Sequence, residues 1–146
     1  MEKQAYIPQL NTLLSSYQLH YQNLRSLHWN IKGNAFFELH LKYEELYTRT
    51  QVIIDDVAER ILSIGETPLS RLSDYTKHSK IGENEIIHDG AKGVAYILNA
   101  QKTLLALEEE ILKLSGEAND EGTNSFMSDL IGEKEKTNWM FRAWLA

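Results

Sequence analysis

Residues 27–60 decide the fold and most of the chemistry, and they read LHWNIKGNAFFELHLKYEELYTRTQVIIDDVAER. Two histidines, His28 and His40, flank a Gly33-Asn34 turn. Apolar residues recur every three or four positions on both sides of that turn, which predicts two helices joined as an antiparallel hairpin. The second helix carries the candidate carboxylates Glu44, Asp55, Asp56 and Glu59. Imidazole nitrogen with carboxylate oxygen is a ligand set suited to iron, manganese or zinc.

The same periodicity extends over the rest of the chain and predicts an all-α fold. Four long helices are expected near residues 8–32, 35–64, 85–114 and 123–145. The breaks at 66–83 and 115–122 separate them, and the first break carries a short helix near 70–76. The polar run at 132–136, GEKEK, predicts a solvated middle of the last helix. Four helices with one long crossover between the second and third form a ferritin-like four-helix bundle, here a single domain over residues 1–146.

Composition sets broad limits on function. The chain has 146 residues, a formal net charge of -6, a pI near 5.4 and no cysteine. An acidic chain fits cation handling better than general nucleic-acid binding, which needs clustered Lys and Arg. The absence of cysteine excludes disulfides and thiolate metal sites. The N-terminus has no long apolar segment and the chain has no run of 18 apolar residues, so a soluble protein without an export signal is expected.

The spacing of the ligand residues predicts a site between two subunits. His28 and His40 lie five residues before and seven after Gly33, so the hairpin brings them to similar height. Asp55 is fifteen residues beyond His40 on the same helix, about 22 Å along its axis, too far to share its ion. A two-fold axis crossing the second helix near residues 48–49 would lay Asp55 and Glu59 of one subunit against the histidines of the other.

Simpler interpretations of each residue stay open at this point. A histidine on an apolar helix face is more often a packed core residue than a ligand, and this applies to His28 and His40. Asp55 and Glu59 alone would be an ordinary solvated i, i+4 pair. The run 85–88, EIIH, matches the Glu-x-x-His pattern of larger di-iron bundles but has no second copy and stands near a helix start, so we interpret it as a chance match.

The run HWNIKGNAFFELH, followed by DDVAER, resembles the Dps family, the dodecameric mini-ferritins. The resemblance covers nearly the whole chain. It implies a hollow twelve-subunit shell, built from two-fold dimers, whose intersubunit ferroxidase sites oxidise Fe(II), preferably with hydrogen peroxide, and store the ferric product. Carried over by position, His28 and His40 come from one subunit, and Asp55 and Glu59 come from its partner.

Other roles follow from the resemblance alone. Glu44 stands where family members have an acidic side chain that supports a second, weaker metal. Trp29 is a candidate electron donor or radical trap. Three acidic residues near the start of the last helix are candidates for an iron-entry pore: Asp120, Glu121 and Asp129. Zinc or manganese is expected to compete for the site, and the location implied is the bacterial cytoplasm or nucleoid.

DNA binding is the main alternative function. Family members that bind DNA use a mobile Lys- or Arg-rich tail, whereas the first six residues here include only Lys3 as a basic side chain. A shell with a charge of -6 per subunit should repel duplex DNA. The sequence therefore favours an iron-oxidising store with weak or absent DNA binding over a nucleoid-protecting protein in which iron oxidation is secondary. The working oxidant and the number of irons per site stay open.

Overall fold

The computed structural model describes all 146 residues as a bundle of long helices without strands. A short 3₁₀ helix at Lys3–Tyr6 precedes five α-helices: α1 Ile7–Asn30, α2 Phe36–Ile64, α3 Leu72–His78, α4 Gly90–Glu117 and α5 Glu121–Leu145. The predicted all-α fold, with four long helices and a short helix in the long crossover, is confirmed. No helix combines the length and apolar character needed to cross a membrane.

Two tight turns create two helical hairpins. Gly33, with φ of 107°, lies in the turn between α1 and α2, and Asn119, with φ of 54°, lies between α4 and α5. These positive φ angles favour glycine and asparagine. The hairpins pack together through α1 and α4, and α3 packs against α1. The crossover between α2 and α4, which contains α3, therefore runs along the bundle and connects the two hairpins.

The second hairpin differs from expectation at its ends. Helix α4 begins at Gly90 rather than at residue 85, because Asp89 caps it by accepting a hydrogen bond from the Lys92 N–H at 2.9 Å. The preceding residue, His88, is bonded to the end of α1: its carbonyl accepts from the Lys32 N–H at 3.0 Å, and its Nδ1 lies 2.7 Å from the Asn30 carbonyl. The EIIH run therefore lies outside any helix. Residues 115–117, expected in a break, are helical.

Two apolar clusters fill the bundle. One includes Leu14, Ile53 and Met127, and the other includes Leu27 and Phe141 near the α1–α2 turn. Buried polar side chains lie between the two clusters, and we name these the polar belt: Tyr17, His20, Thr50, Gln101, Glu108, Lys134 and Asn138. Every long helix contributes to this belt, so it crosses the core at mid-height.

The belt corrects the expectation for the middle of α5. Lys134 belongs to the GEKEK run, but it is buried, and its ammonium lies 2.9 Å from the carboxylate of Glu108 on α4. The other residues of the run are exposed as expected, and among them Glu133 pairs with Arg49 of α2 at 2.9 Å. The local sequence pattern predicts a solvated Lys134, because it does not reveal Glu108, the partner that lies on a different helix.

Two tryptophans in the last part of α5 lie outside the core of the subunit. Trp139 is 59% exposed and Trp144 is 37% exposed. The indole N–H of Trp144 donates to the carboxylate of Glu38 at 3.2 Å, which fastens the end of α5 to the start of α2.

Candidate metal centre

The first part of the site is a pair of imidazoles at the α1–α2 turn. His28 lies in the last turn of α1 and His40 in the second turn of α2. Their rings stack with centroids 3.7 Å apart and an interplanar angle of 12°. The hairpin therefore brings the two histidines together, as the residue spacing predicted.

Reciprocal hydrogen bonds fix the orientation of both rings. The Nδ1 of His28 lies 2.6 Å from the carbonyl of His40, and the Nδ1 of His40 lies 2.7 Å from the carbonyl of His28. A carbonyl only accepts, so each Nδ1 carries the proton and donates it. In the neutral imidazole, Nε2 then holds a free lone pair, which is the form that binds a metal. The two free Nε2 atoms belong to rings whose planes are nearly parallel and closely stacked.

Aromatic side chains hold the stacked pair in place. The ring of Phe36 stacks on His40 at 5.0 Å and 15°, and the ring of Tyr47 meets His28 edge-on at 5.3 Å. Phe36 precedes His40 by one helical turn, so α2 itself builds this contact. The imidazole pair is thus clamped from both ends, which limits the reorientation needed to bind an ion.

Glu44 adds a carboxylate oxygen beside the imidazole pair, and we call these three side chains together a half-site. Its Oε1 lies 3.6 Å from the Nε2 of His28, although the side chain is largely exposed. Glu44 follows His40 by one turn of α2, so the two side chains lie on one face. Two nitrogens and one exposed carboxylate are fewer ligands than an ion needs for a closed coordination shell.

The remaining predicted ligands lie elsewhere on the same chain. Asp55 and Glu59 are exposed on the second half of α2, about 22 Å or more along the axis from His40. Asp55 borders an open groove of about 570 Å³ between α1, α2 and α3. Within one subunit, no group of three or more His, Asp and Glu side chains is arranged to hold a metal ion.

Exposed apolar side chains accompany both halves of the predicted site. Phe37 is 85% exposed, Leu41 is 58% exposed and Val52 is 46% exposed, all on α2. Such residues on a long helix mark a surface suited to association. They flank residues 48–49, where the sequence places the two-fold axis.

Trp29 and the pore candidates have different surroundings. Trp29 is 58% exposed, with the guanidinium of Arg25 4.9 Å from its ring centroid. Glu121 and Asp129 are exposed on α5. Asp120, in contrast, is 1% exposed and caps α5.

The carboxylate of Asp120 is fully engaged inside the subunit. It accepts from the guanidinium of Arg60 at 2.7 Å, from the Thr123 hydroxyl at 2.6 Å and from the Tyr6 hydroxyl. Burial raises the pKa of Asp120, but the hydrogen bonds from Thr123 and Tyr6 and the charge of Arg60 outweigh it and hold that pKa below its ordinary value. Asp120 is therefore a structural cap rather than a free pore carboxylate, and the pore expectation rests on Glu121 and Asp129.

Sequence reasoning missed the groups that orient the imidazoles. The carbonyls of His28 and His40 carry no sequence signal, because any residue has one. The spacing of Phe36 and His40 at i, i+4 was a usable signal for the stacking contact. Tyr47 is half-buried against His28.

Known proteins share this sequence and fold. The family model of the ferritin-like domain matches residues 7–146. A Haemophilus influenzae protein named only as uncharacterized is 49% identical over 134 residues, 92% of this chain and 84% of that protein. The DNA protection during starvation protein of Porphyromonas gingivalis is 38% identical, with 92% of this chain and 85% of that protein covered.

A solved structure agrees with the sequence relatives. The Dps protein of Vibrio cholerae O1 is 46% identical and superposes with a TM-score of 0.93 over 94% of this chain and 87% of that chain. It is described as a member of a broad superfamily of ferritin-like diiron-carboxylate proteins. With a family model spanning almost the whole chain and Dps relatives matched along nearly all of it, this chain belongs to the ferritin-like family and, within it, to the Dps proteins.

Proposed function

We propose that this protein is a ferroxidase and iron store whose sites form between subunits. One subunit supplies the Nε2 atoms of His28 and His40, and a second copy supplies Asp55 and Glu59. The observation that carries the proposal is the reciprocal Nδ1–carbonyl bonding of two stacked imidazoles, which leaves both Nε2 atoms free. The exposed Asp55 and Glu59, which have no partner for such a site within the subunit, supply the complement.

The ligand set explains how Fe(II) would be oxidised. Imidazole and carboxylate ligands hold Fe(II) and leave positions open for an oxidant, which we propose is hydrogen peroxide. One peroxide takes one electron from each of two Fe(II) ions and two protons from solvent, giving two Fe(III) and two waters. In this proposal Glu44, whose Oε1 lies 3.6 Å from the His28 Nε2, would hold the second, weaker iron. The same ligands suit zinc and manganese, so these ions would compete.

Storage follows from assembly in this proposal. Twelve subunits, paired by two-fold axes across α2, would enclose a cavity, with Glu121 and Asp129 as the pore carboxylates at the start of α5. A site with few protein ligands releases its ferric product, which then moves to the cavity. The proposal includes a location in the bacterial cytoplasm or nucleoid.

DNA protection is the second candidate function, and the relatives named for it are the reason to consider it. The formal charge of -6 per subunit argues against strong binding to a polyanion. We expect no retardation of plasmid DNA in a gel at low salt without divalent cations. Retarded plasmid would favour the DNA-binding function instead.

Mixed shells test the intersubunit site directly. A His28→Ala, His40→Ala variant lacks one half-site, and an Asp55→Ala, Glu59→Ala variant lacks the other. Each variant alone should fail to oxidise Fe(II) rapidly after anaerobic loading and one addition of peroxide. When the two are unfolded, mixed and reassembled, half of the randomly paired dimers contain both variants, and each of these regains one complete site.

The expected readout is ferric absorbance and residual peroxide. The mixture should recover about a quarter of the wild-type oxidation capacity, because only one site in four is intact under random isologous pairing. A Glu45→Ala variant, whose exposed side chain pairs with Lys42, is the control and should match wild type. No recovery in verified mixed shells would refute the intersubunit site, and rapid oxidation by either variant alone would place the chemistry elsewhere.

A further inference from the structure

Three tyrosines lead from the imidazole pair into the centre of the bundle. Tyr47 contacts His28 edge-on at 5.3 Å, and Tyr21 contacts Tyr47 edge-on at 6.0 Å. Tyr17 precedes Tyr21 by four residues on α1, so the two side chains lie one turn apart on one face. We name Tyr47, Tyr21 and Tyr17 the tyrosine chain.

Tyr17 differs from the other two because its phenol has a buried base. Tyr17 is 1% exposed, and its hydroxyl donates to Oε2 of Glu108. The second carboxylate oxygen, Oε1 of Glu108, is buried without a hydrogen-bond partner and is free to take up a proton. Burial raises the pKa of Glu108 above its ordinary value, although the ammonium of Lys134 opposes the rise.

A nearby proton acceptor decides which of these aromatic side chains is oxidised most readily. A neutral phenol is oxidised readily only if its proton leaves with the electron. Tyr21 and Tyr47 are half-buried, and neither hydroxyl forms a hydrogen bond within the subunit. The guanidinium of Arg25 lies 5.4 Å from the Tyr21 ring centroid. A nearby cation does not distinguish these rings, because the same guanidinium lies 4.9 Å from the Trp29 ring centroid and the ammonium of Lys134 lies 5.0 Å from the Tyr17 ring centroid. The buried proton acceptor is the feature that sets Tyr17 apart.

We propose that Tyr17, with Glu108 as its proton acceptor, supplies the second electron when a site holds a single Fe(II), and that the electron travels through Tyr21 and Tyr47. This inference rests on the proposed ferroxidase function. One peroxide accepts two electrons and two solvent protons and becomes two waters. One electron comes from Fe(II), which becomes Fe(III); the other comes from Tyr17, whose phenolic proton moves to Glu108 as a neutral tyrosyl radical forms.

The chain offers a matched control for this step. Tyr6 is also fully buried, and its hydroxyl also donates to a buried carboxylate, that of Asp120. Tyr6 lies at the start of α1, however, and has no aromatic contact that leads to His28. A Tyr6→Phe variant therefore removes an equivalent phenol–carboxylate pair outside the tyrosine chain.

The experiment loads assembled protein anaerobically with one Fe(II) per site, adds one peroxide per iron and freezes the sample for electron paramagnetic resonance. Wild type and Tyr6→Phe should give a tyrosyl signal that narrows when the tyrosine rings are deuterated. Tyr17→Phe, which leaves the Glu108–Lys134 pair in place, should lose that signal. If Tyr17→Phe does not assemble, Tyr21→Phe interrupts the chain at a half-buried residue and should also lose the signal.

Each outcome decides the proposal. A signal that persists in Tyr17→Phe, disappears in Tyr6→Phe or has tryptophan character overturns it, as does the absence of any radical in wild type. A parallel sample with two Fe(II) per site, read by ferric absorbance, separates this failure from that of the proposed function. Rapid iron oxidation without the tyrosyl signal refutes only the tyrosine chain, whereas no iron oxidation refutes both.

Discussion

The imidazole pair and the polar belt are both polar clusters within an apolar bundle, but they use their polar atoms in opposite ways. His28 and His40 satisfy one nitrogen each inside the subunit and leave the other free. In the belt, the charge of Lys134 is matched by Glu108 at 2.9 Å, with both side chains buried. The first cluster is therefore open to an ion from outside, whereas the second is closed by a cation that the chain itself carries.

This contrast bears on the location of the proposed metal centre. Di-iron carboxylate bundles commonly hold their metals in the core, between side chains of facing helices. In this chain the core position is occupied by the ammonium of Lys134, and the EIIH run that matches the usual motif is not helical. The candidate ligands are carried instead by α1 and α2, and in the proposed function a second subunit completes their site.

Removing the ammonium of Lys134 from the polar belt should have the largest effect on stability. Lys134→Met leaves the Glu108 carboxylate buried without its partner, which should lower the free energy of unfolding by about 3–5 kcal/mol. Adding Glu108→Gln to that variant should recover most of the loss, because no unpaired charge stays buried and Tyr17 keeps an acceptor. Chemical denaturation of the assembled protein measures both.

The exposed pair of Arg49 and Glu133 is the control for this experiment. It links α2 to α5 at 2.9 Å but is open to solvent, so Glu133→Gln should cost about 1 kcal/mol or less. An equally small cost for Lys134→Met would mean that the belt tolerates an unpaired carboxylate and would remove the contrast between the two clusters.

The belt should also respond to acid through His20. Burial, together with the charge of Lys134, lowers the pKa of His20 to about 3. The unfolded chain binds this proton near pH 6.5 and the folded chain does not, so stability present above pH 6.5 is lost as the pH falls toward 3. Between pH 7.5 and pH 5 the loss from this residue should be about 2 kcal/mol.

His20→Phe tests this expectation. Denaturation midpoints of the variant should fall less between pH 7.5 and pH 5 than those of wild type, even though the variant loses the contact of His20 with the Tyr96 hydroxyl at 3.1 Å. The exposed His78, changed to Phe, should leave the pH dependence unchanged. An unaltered pH dependence in His20→Phe would show that His20 becomes protonated in the folded protein.

Loss of the Glu44 carboxylate beside the imidazole pair should have a smaller effect, on metal affinity rather than on stability. Glu44→Gln removes the charge 3.6 Å from the His28 Nε2. We expect Fe(II) affinity, measured anaerobically by titration calorimetry, to fall about tenfold with little change in stability. Glu45→Gln, one residue away, should leave affinity unchanged. Loss of all binding in Glu44→Gln would make Glu44 a principal ligand rather than an auxiliary one.

Much of the candidate site was predictable because it depends on local geometry. The rise of 1.5 Å per residue separates His40 from Asp55 on one helix, and the position of Gly33 sets the two histidines at one height. These facts need no knowledge of the rest of the molecule. The positions of Lys134 and Asp120 were mispredicted because their partners are distant in sequence: Arg60 lies 60 residues from Asp120, and Tyr6 lies 114 residues from it.

The sequence by itself determined the helical bundle, the histidine hairpin and the separation of the two half-sites, since helix periodicity and turn residues act over a few positions. Only the tertiary structure decided which imidazole nitrogens stay free, because the acceptors are backbone carbonyls on the opposing helix. It also decided that an ammonium occupies the core, since a buried charge is tolerated only where the fold brings its counter-charge within contact.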